Sequence, residues 1–149
     1  MTTRSAEHGT FAIERTYPVP PARAFAAWSS PAAKAIWFGG PGAGAYSLDF
    51  RVGGQETNRG GPPDGPVYVF EATYQEIVPD ERIVYSYVMD ADGTRISVSV
   101  TTVEFAASGD GGTRLTFTEQ GVYLDAADTP ATRAGGTEGI LDALGRALG

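Results

Sequence analysis

Chemistry in this chain has to be done with carboxylates and phenols. The sequence holds no cysteine and a single histidine, His8. Thiol nucleophiles, thiolate metal sites and disulfides are therefore excluded, and no Ser/His/Asp triad or carboxylate–histidine metal cluster can be assembled. His8 lies in a polar amino-terminal stretch and reads as inert. The segment Thr113 to Gln120 (TRLTFTEQ) is more suggestive: alternation places Leu115, Phe117 and Glu119 on one face of a strand. Facing inward, Glu119 is a partly buried carboxylate of raised pKa, able to accept a hydrogen bond from a ligand hydroxyl or amine or to act as a general base. If the strand bends or bulges there, Glu119 is solvated at a rim.

The same period-two count nominates Tyr68, Phe70 and Tyr74, then Ile83, Tyr85 and Tyr87, then Val98 and Val100 as inward side chains. The tyrosines are the better ligand contacts, because a buried phenol needs a partner and offers one hydrogen bond in an apolar pocket. Trp37 is expected at a cavity mouth, where the GGPG that follows could act as a gate, or as a cap on the core; Trp28 reads as core. The full expected lining is Trp37, Phe38, Tyr46, Tyr68, Phe70, Tyr85, Tyr87, Val98, Phe117, Glu119, Leu141 and Leu144. Asp49 and Arg51 read as an exposed ion pair beside Gly53-Gly54, and the carboxylate pairs Asp80-Glu81 and Glu138/Asp142 as solvated surface. GAGA at Gly42 to Ala45 and VGG at Val52 to Gly54 lack the phosphate-cradling glycine patterns, so no cofactor is expected.

The elements that must position these residues follow from periodicity and turn chemistry. Residues 1–9 are patternless and read as a flexible tail, with one domain over residues 10–149. A first strand begins at Phe11 and ends near Tyr17. Pro20-Pro21 starts a helix near residues 21–29, and Ser30-Pro31 a second that ends by Phe38 before Gly39-Gly40-Pro41. Strands follow at Tyr46 to Phe50, Gln55 to Arg59, Val67 to Ile77, Arg82 to Met89, Thr94 to Phe105 and Thr113 to Gln120, joined by short turns that imply an antiparallel meander. The chain is expected to leave the sheet after Gly121. Thr129-Pro130 then caps a last helix to Leu148 with Ile140, Leu141, Leu144 and Leu148 on one stripe. Its glycines at 135, 136, 139 and 145 imply either an irregular first half or very close packing on the sheet. A curved antiparallel sheet of about seven strands closed by a long helix, with a two-helix insert after the first strand, encloses an apolar cavity.

Charge and hydropathy narrow the partners. Eighteen acidic against eleven basic residues give a net charge of −7 with no Lys/Arg cluster, which disfavours nucleic acid and anionic membrane surfaces. No apolar run is long enough for a membrane span or a signal peptide, so a cytoplasmic location is expected. The chain is expected to be a monomer or a homodimer.

Several segments resemble the START-related (SRPBCC) ligand-binding superfamily, which includes the birch-pollen allergens and the polyketide aromatase/cyclases. Within it the chain is most similar to the family of homologues of the activator of the heat-shock protein ninety ATPase. The resemblance is carried by PARAFAAWSSP (Pro21 to Pro31), WFGGP (Trp37 to Pro41), DFRVGG (Asp49 to Gly54) and YQEIVPDERIVYSY (Tyr74 to Tyr87), with TRLTFTEQG (Thr113 to Gly121) and the closing helix. It implies an α+β helix-grip fold. Relatives often have two adjacent tryptophans where this chain has Trp37-Phe38, and charged or histidine side chains where it has Ala134, Gly135 and Gly136, so polar chemistry at those positions is not carried over. The separate domain with which the chaperone activator grips its partner is not expected here.

The expected function is binding of a small hydrophobic or aromatic ligand in the cavity, for transport, sequestration or sensing. An aromatase/cyclase-like enzyme using Glu119 and tyrosines such as Tyr85 is the first alternative, and a chaperone-regulating interaction module the second. An apparent shortage of inward titratable groups favours the binder over the enzyme.

Overall fold

The computed structural model describes residues 3–39 and 45–149. Its elements run β1 (Ala6–Tyr17), α1 (Pro21–Ser29), α2 (Pro31–Lys34) continuing into a π-helical turn at Ala35–Gly39, β2 (Tyr46–Leu48), β3 (Gln55–Gly60), β4 (Tyr68–Val78), β5 (Arg82–Ala91), β6 (Thr94–Ala107), β7 (Thr113–Leu124) and α3 (Pro130–Leu148). The strands form one curved antiparallel sheet in the order β1-β7-β6-β5-β4-β3-β2, as the meander reading requires. The closing of β1 onto β7 brings the first strand back beside the last, and α3 packs across β1 and the π-helical turn.

Local chemistry explains the joints. Pro21 opens α1 and Pro31 opens α2, where a missing N–H costs nothing; Ser30 Oγ also accepts the Ala33 N–H at 3.3 Å. Asp92 and Gly93 both have positive φ, 49° and 81°, the pairing that a tight hairpin with the right strand twist needs. Thr129 caps α3 through its hydroxyl, which accepts the Thr132 N–H at 3.1 Å. The core centres on Trp28 of α1, whose ring lies 4.7 Å from that of Trp37 and 6.3 Å from that of Phe105, together with Ile83, Val103, Leu115, Leu141 and Leu144. Each such side chain contributes roughly 1.5–3 kcal/mol by burial.

Four expectations are corrected. The tail is shorter than residues 1–9, because β1 begins at Ala6, and β7 runs to Leu124 instead of ending near Gly121. Both follow from one ladder: Ala6 pairs with Leu124 and His8 with Val122 through backbone hydrogen bonds, which need no side-chain alternation. Val98 and Val100 point outward, each 42 % exposed, while Ser97, Ser99 and Thr101 point in. A bulge at Ile96, between Met89 and Asp90 of the facing strand, shifts the register so that Ile96 and Ser97 are both buried. Finally, α3 is regular throughout, and an added Cβ at Gly135, Gly136 or Gly139 would meet nothing within 4 Å. These glycines face solvent. Gly145 alone is closely packed, against the Tyr17 ring.

Candidate functional site

Between the concave face of the sheet and α3 lies a cavity of about 290 Å³. Rings form most of its wall: Trp28, Trp37 and Phe38 from the helical insert, Tyr68 and Phe70 from β4, Tyr85 and Tyr87 from β5, and Phe117 from β7. α3 adds Arg133, Thr137, Ile140 and Leu141, whose spacing puts them on one helix face. Met89, Asn58, Glu119 and the glycines 39, 60 and 61 complete it. Among the described residues, Glu119 and Arg133 are the two charged side chains in this wall.

They form a polar corner. Glu119, 1 % exposed, accepts from the Tyr87 hydroxyl at 2.8 Å and the Tyr123 hydroxyl at 3.2 Å through Oε2, and from Thr101 at 3.3 Å through Oε1. Arg133 Nη1 stands 3.8 Å from Glu119 Oε2 and donates to the Tyr87 oxygen at 2.7 Å. Because that oxygen accepts from Arg133, its single proton points to Glu119, so guanidinium, phenol and carboxylate form a directed relay. Asp128 also holds Arg133, accepting from Nη2 at 2.8 Å and Nε at 3.2 Å, and Ser97 Oγ accepts from Nη2 at 2.9 Å. Burial raises the Glu119 pKa, opposed by the hydrogen bond from Tyr87 and the charge of Arg133. Burial and the neighbouring carboxylate push the Tyr85 and Tyr87 phenols well above their ordinary value, so both are neutral hydrogen-bonding groups at neutral pH.

A second buried cluster lies behind the aromatic wall. Lys34 Nζ donates to Glu56 Oε1 at 2.8 Å, and both side chains are fully buried. The hydroxyls of Tyr74 and Tyr46 each donate to Glu56 at 2.7 Å. Five rings surround the ammonium, from Phe38 at 4.6 Å and Trp28 at 5.0 Å to Tyr85, Trp37 and Tyr74 at up to 5.9 Å. Burial lowers the Lys34 pKa, against the pull of Glu56. Four of those five rings also face the cavity, so a single aromatic layer divides the two clusters.

The structure brings together nine of the twelve expected lining residues: Trp37, Phe38, Tyr68, Phe70, Tyr85, Tyr87, Phe117, Glu119 and Leu141. Glu119 is buried, so the strand does not bend away. Tyr68 is 40 % exposed and sits at the rim. Trp37 is 4 % exposed, its indole donating to the Ala27 carbonyl at 3.1 Å, which makes it a cap on the core with one edge in the cavity. The gate expected on GGPG, and GAGA beside it, fall largely on residues 40–44, outside the described residues. Three expectations fail. Tyr46 is drawn off by Glu56, Leu144 is wholly buried in the core below the cavity, and Val98 lies on the outer face of the sheet. Trp28, expected as core alone, also lines the cavity. The ion pair of Asp49 and Arg51 is present at 2.9 Å and exposed, and Glu138 and Asp142 are at the surface.

Sequence reasoning missed Arg133, Lys34, Glu56 and Asn58, and with them concluded that inward titratable groups are scarce. The signals were available for two. Arg133 stands four and eight residues before Thr137 and Leu141, extending the apolar stripe of α3, and Lys34 precedes Trp37 and Phe38 by three and four. β3 (QETNRG) has no apolar residue to mark its inner face, so Glu56 and Asn58 carried no signal. Among the described residues, no three His, Asp or Glu side chains lie together as a metal-binding group.

A seven-stranded curved antiparallel sheet gripping a long carboxy-terminal helix is the helix-grip, Bet v 1-like α+β fold. Ara h 8.0201 shares that fold with a TM-score of 0.74 at 18 % identity, over 95 % of this chain and 98 % of that one. The chain belongs to the family described as Activator of Hsp90 ATPase homolog 1-like protein, whose model matches residues 18–149. Among solved structures it is similar to an uncharacterised protein from Rhizobium leguminosarum, with 49 % identity, a TM-score of 0.93 and coverage of 99 % of this chain and 98 % of that one. It is also similar to the Mll3558 protein from Rhizobium loti, at 46 % identity and a TM-score of 0.90, over 96 % and 99 % of the two chains. No curated protein matches the sequence.

Proposed function

We propose that this protein holds a small, largely apolar aromatic molecule in the cavity between sheet and α3, without a cofactor, for transport, sequestration or sensing. The observation that supports the reading is the wall itself: eight aromatic rings around about 290 Å³, with one polar corner. Ligand sites are commonly of this make, apolar walls for affinity and a few placed polar groups for orientation. An apolar cavity of roughly 150 Å³ accepts benzene, so a space of about 290 Å³ suits a one- or two-ring compound.

A thermal-shift titration with neutral one- and two-ring aromatics tests it. A ligand that binds the folded state raises the melting temperature with concentration. Saturable stabilisation that disappears in Ile140→Trp, which fills the cavity from α3, is the expected result. No shift from any member of the set refutes the reading.

A second reading, an acid–base enzyme of the cyclase kind, is supported by the directed relay from Arg133 through Tyr87 to Glu119. It requires turnover of a bound compound that Glu119→Gln abolishes while binding persists.

A further inference from the structure

We propose that the cavity selects uncharged ligands that donate hydrogen bonds, such as phenols and aromatic alcohols, and rejects carboxylates despite the arginine in its wall. The inference rests on the cavity-binding reading above and specifies the chemistry of the ligand. An arginine at the end of an apolar cavity would ordinarily suggest an acid as ligand, since its planar fork matches a carboxylate. Here the fork is already taken. Of its five N–H groups, four have partners: Nε and one on Nη2 go to Asp128, the other on Nη2 to Ser97, and one on Nη1 to Tyr87. The remaining one, on Nη1, belongs to the nitrogen 3.8 Å from Glu119.

The charges agree with the hydrogen bonds. The corner holds one guanidinium against two carboxylates, Glu119 and Asp128, so an incoming acid would add a third negative charge in a poorly solvated place. What the corner can offer is an acceptor. Glu119 Oε2 is crowded by Tyr87, Tyr123 and Arg133, whereas Oε1 has a single long bond, 3.3 Å from Thr101. A second acceptor stands in the wall on β3. Asn58 donates its amide to the Phe38 carbonyl at 3.3 Å, while its Oδ1 is buried with no hydrogen-bond partner among the described residues. Four strand spacings separate β7 from β3, and Asn58 pairs with Phe70 while the ladder from Glu119 reaches β4 at Tyr74, so the two acceptors stand at different ends of the cavity wall. A rigid aromatic with a hydroxyl at one end is matched to Glu119, and Asn58 Oδ1 is the acceptor for a donor elsewhere on the ligand.

Naphthalene, a naphthol and the naphthoate substituted at the same position form a matched probe set, titrated at neutral pH and followed by ring fluorescence. The expected order is naphthol tighter than naphthalene, and naphthoate weaker than naphthol by at least about tenfold, given one hydrogen bond lost and one unpaired charge gained. Asp128→Asn releases part of the guanidinium and lowers the negative charge, so it should raise naphthoate affinity severalfold relative to naphthalene. Glu119→Gln should likewise raise naphthoate affinity, while weakening naphthol. Naphthoate binding as tightly as naphthol, or naphthol no tighter than naphthalene, overturns the selectivity while leaving the cavity reading intact. Failure of all three, the parent hydrocarbon included, overturns both.

Discussion

Lys34 with Glu56 and Arg133 with Glu119 are the same pairing in two settings. Each joins a cation to a carboxylate on the inner face of the sheet and surrounds it with tyrosine hydroxyls, and the two share a partition of aromatic rings. The Lys34 cluster is sealed: both charged side chains are fully buried and absent from the cavity wall. The Arg133 cluster opens onto the cavity and keeps acceptor capacity on Glu119 Oε1. The lesson is that a buried ion pair becomes a binding feature through what it leaves unsatisfied. The sealed pair anchors the helical insert to β3, and the open one faces whatever enters.

That contrast can be broken most strongly at Lys34. Lys34→Met leaves the Glu56 carboxylate buried without its cation, and urea unfolding should show a loss of about 3–5 kcal/mol. A loss below about 1 kcal/mol would mean that water reaches the cluster and that it is not sealed. Adding Glu56→Gln should recover most of the loss, because the penalty belongs to the unpaired charge. Neither change should alter the ranking of aromatic ligands.

At the open cluster the effect is smaller and depends on pH. The folded-state pKa of Glu119 is raised by burial, so its contribution to stability is fully present below the ordinary carboxylate value of 4.5 and is lost as pH rises through the folded-state value. Wild-type stability relative to Glu119→Gln should therefore fall across that window, as read from denaturant midpoints on either side of it. A difference independent of pH would mean that Glu119 titrates like a solvated carboxylate. Smallest of all is the exposed pair of Arg51 and Asp49: Arg51→Ala should shift stability by about 0.5 kcal/mol or less, and less still in high salt.

The fold was legible because its signals are local and repeated. Ile83 and Tyr85 or Leu115 and Phe117 mark an inner face by alternation, and Thr129-Pro130 marks the start of α3. The strand-borne rings of the site, Tyr68, Phe70, Tyr85, Tyr87 and Phe117, came with that pattern, and so did Glu119, which inherits its place from Leu115 and Phe117. The polar remainder was hidden where hydrophobicity guided the reading of each face. In β6 Val98 and Val100 lie outside and Ser97, Ser99 and Thr101 inside, since part of the inner face there meets Glu119 and Arg133 rather than oil. In β3 no apolar residue marks a face at all. Long-range pairs such as Lys34 with Glu56 depend on which strand ends beside which helix, and alternation within one element does not carry that information.

The glycines on the outer surface of α3 also set a timescale. Gly135, Gly136 and Gly139 touch nothing that an alanine would disturb, yet each weakens local helix formation by about 1 kcal/mol. They fall in the half of the helix that is held through the Arg133 side chain, whereas the other half is held by the Tyr17 hydroxyl on the Leu141 carbonyl and by Tyr17 against Gly145. Amide exchange should accordingly be faster from Arg133 to Ile140 than from Leu141 to Leu148, and replacing the three glycines with alanine should close that gap. An occupant of the cavity need not wait for the sheet to unfold before leaving. For a ligand held as proposed, the triple alanine variant should lengthen the residence time relative to the wild type.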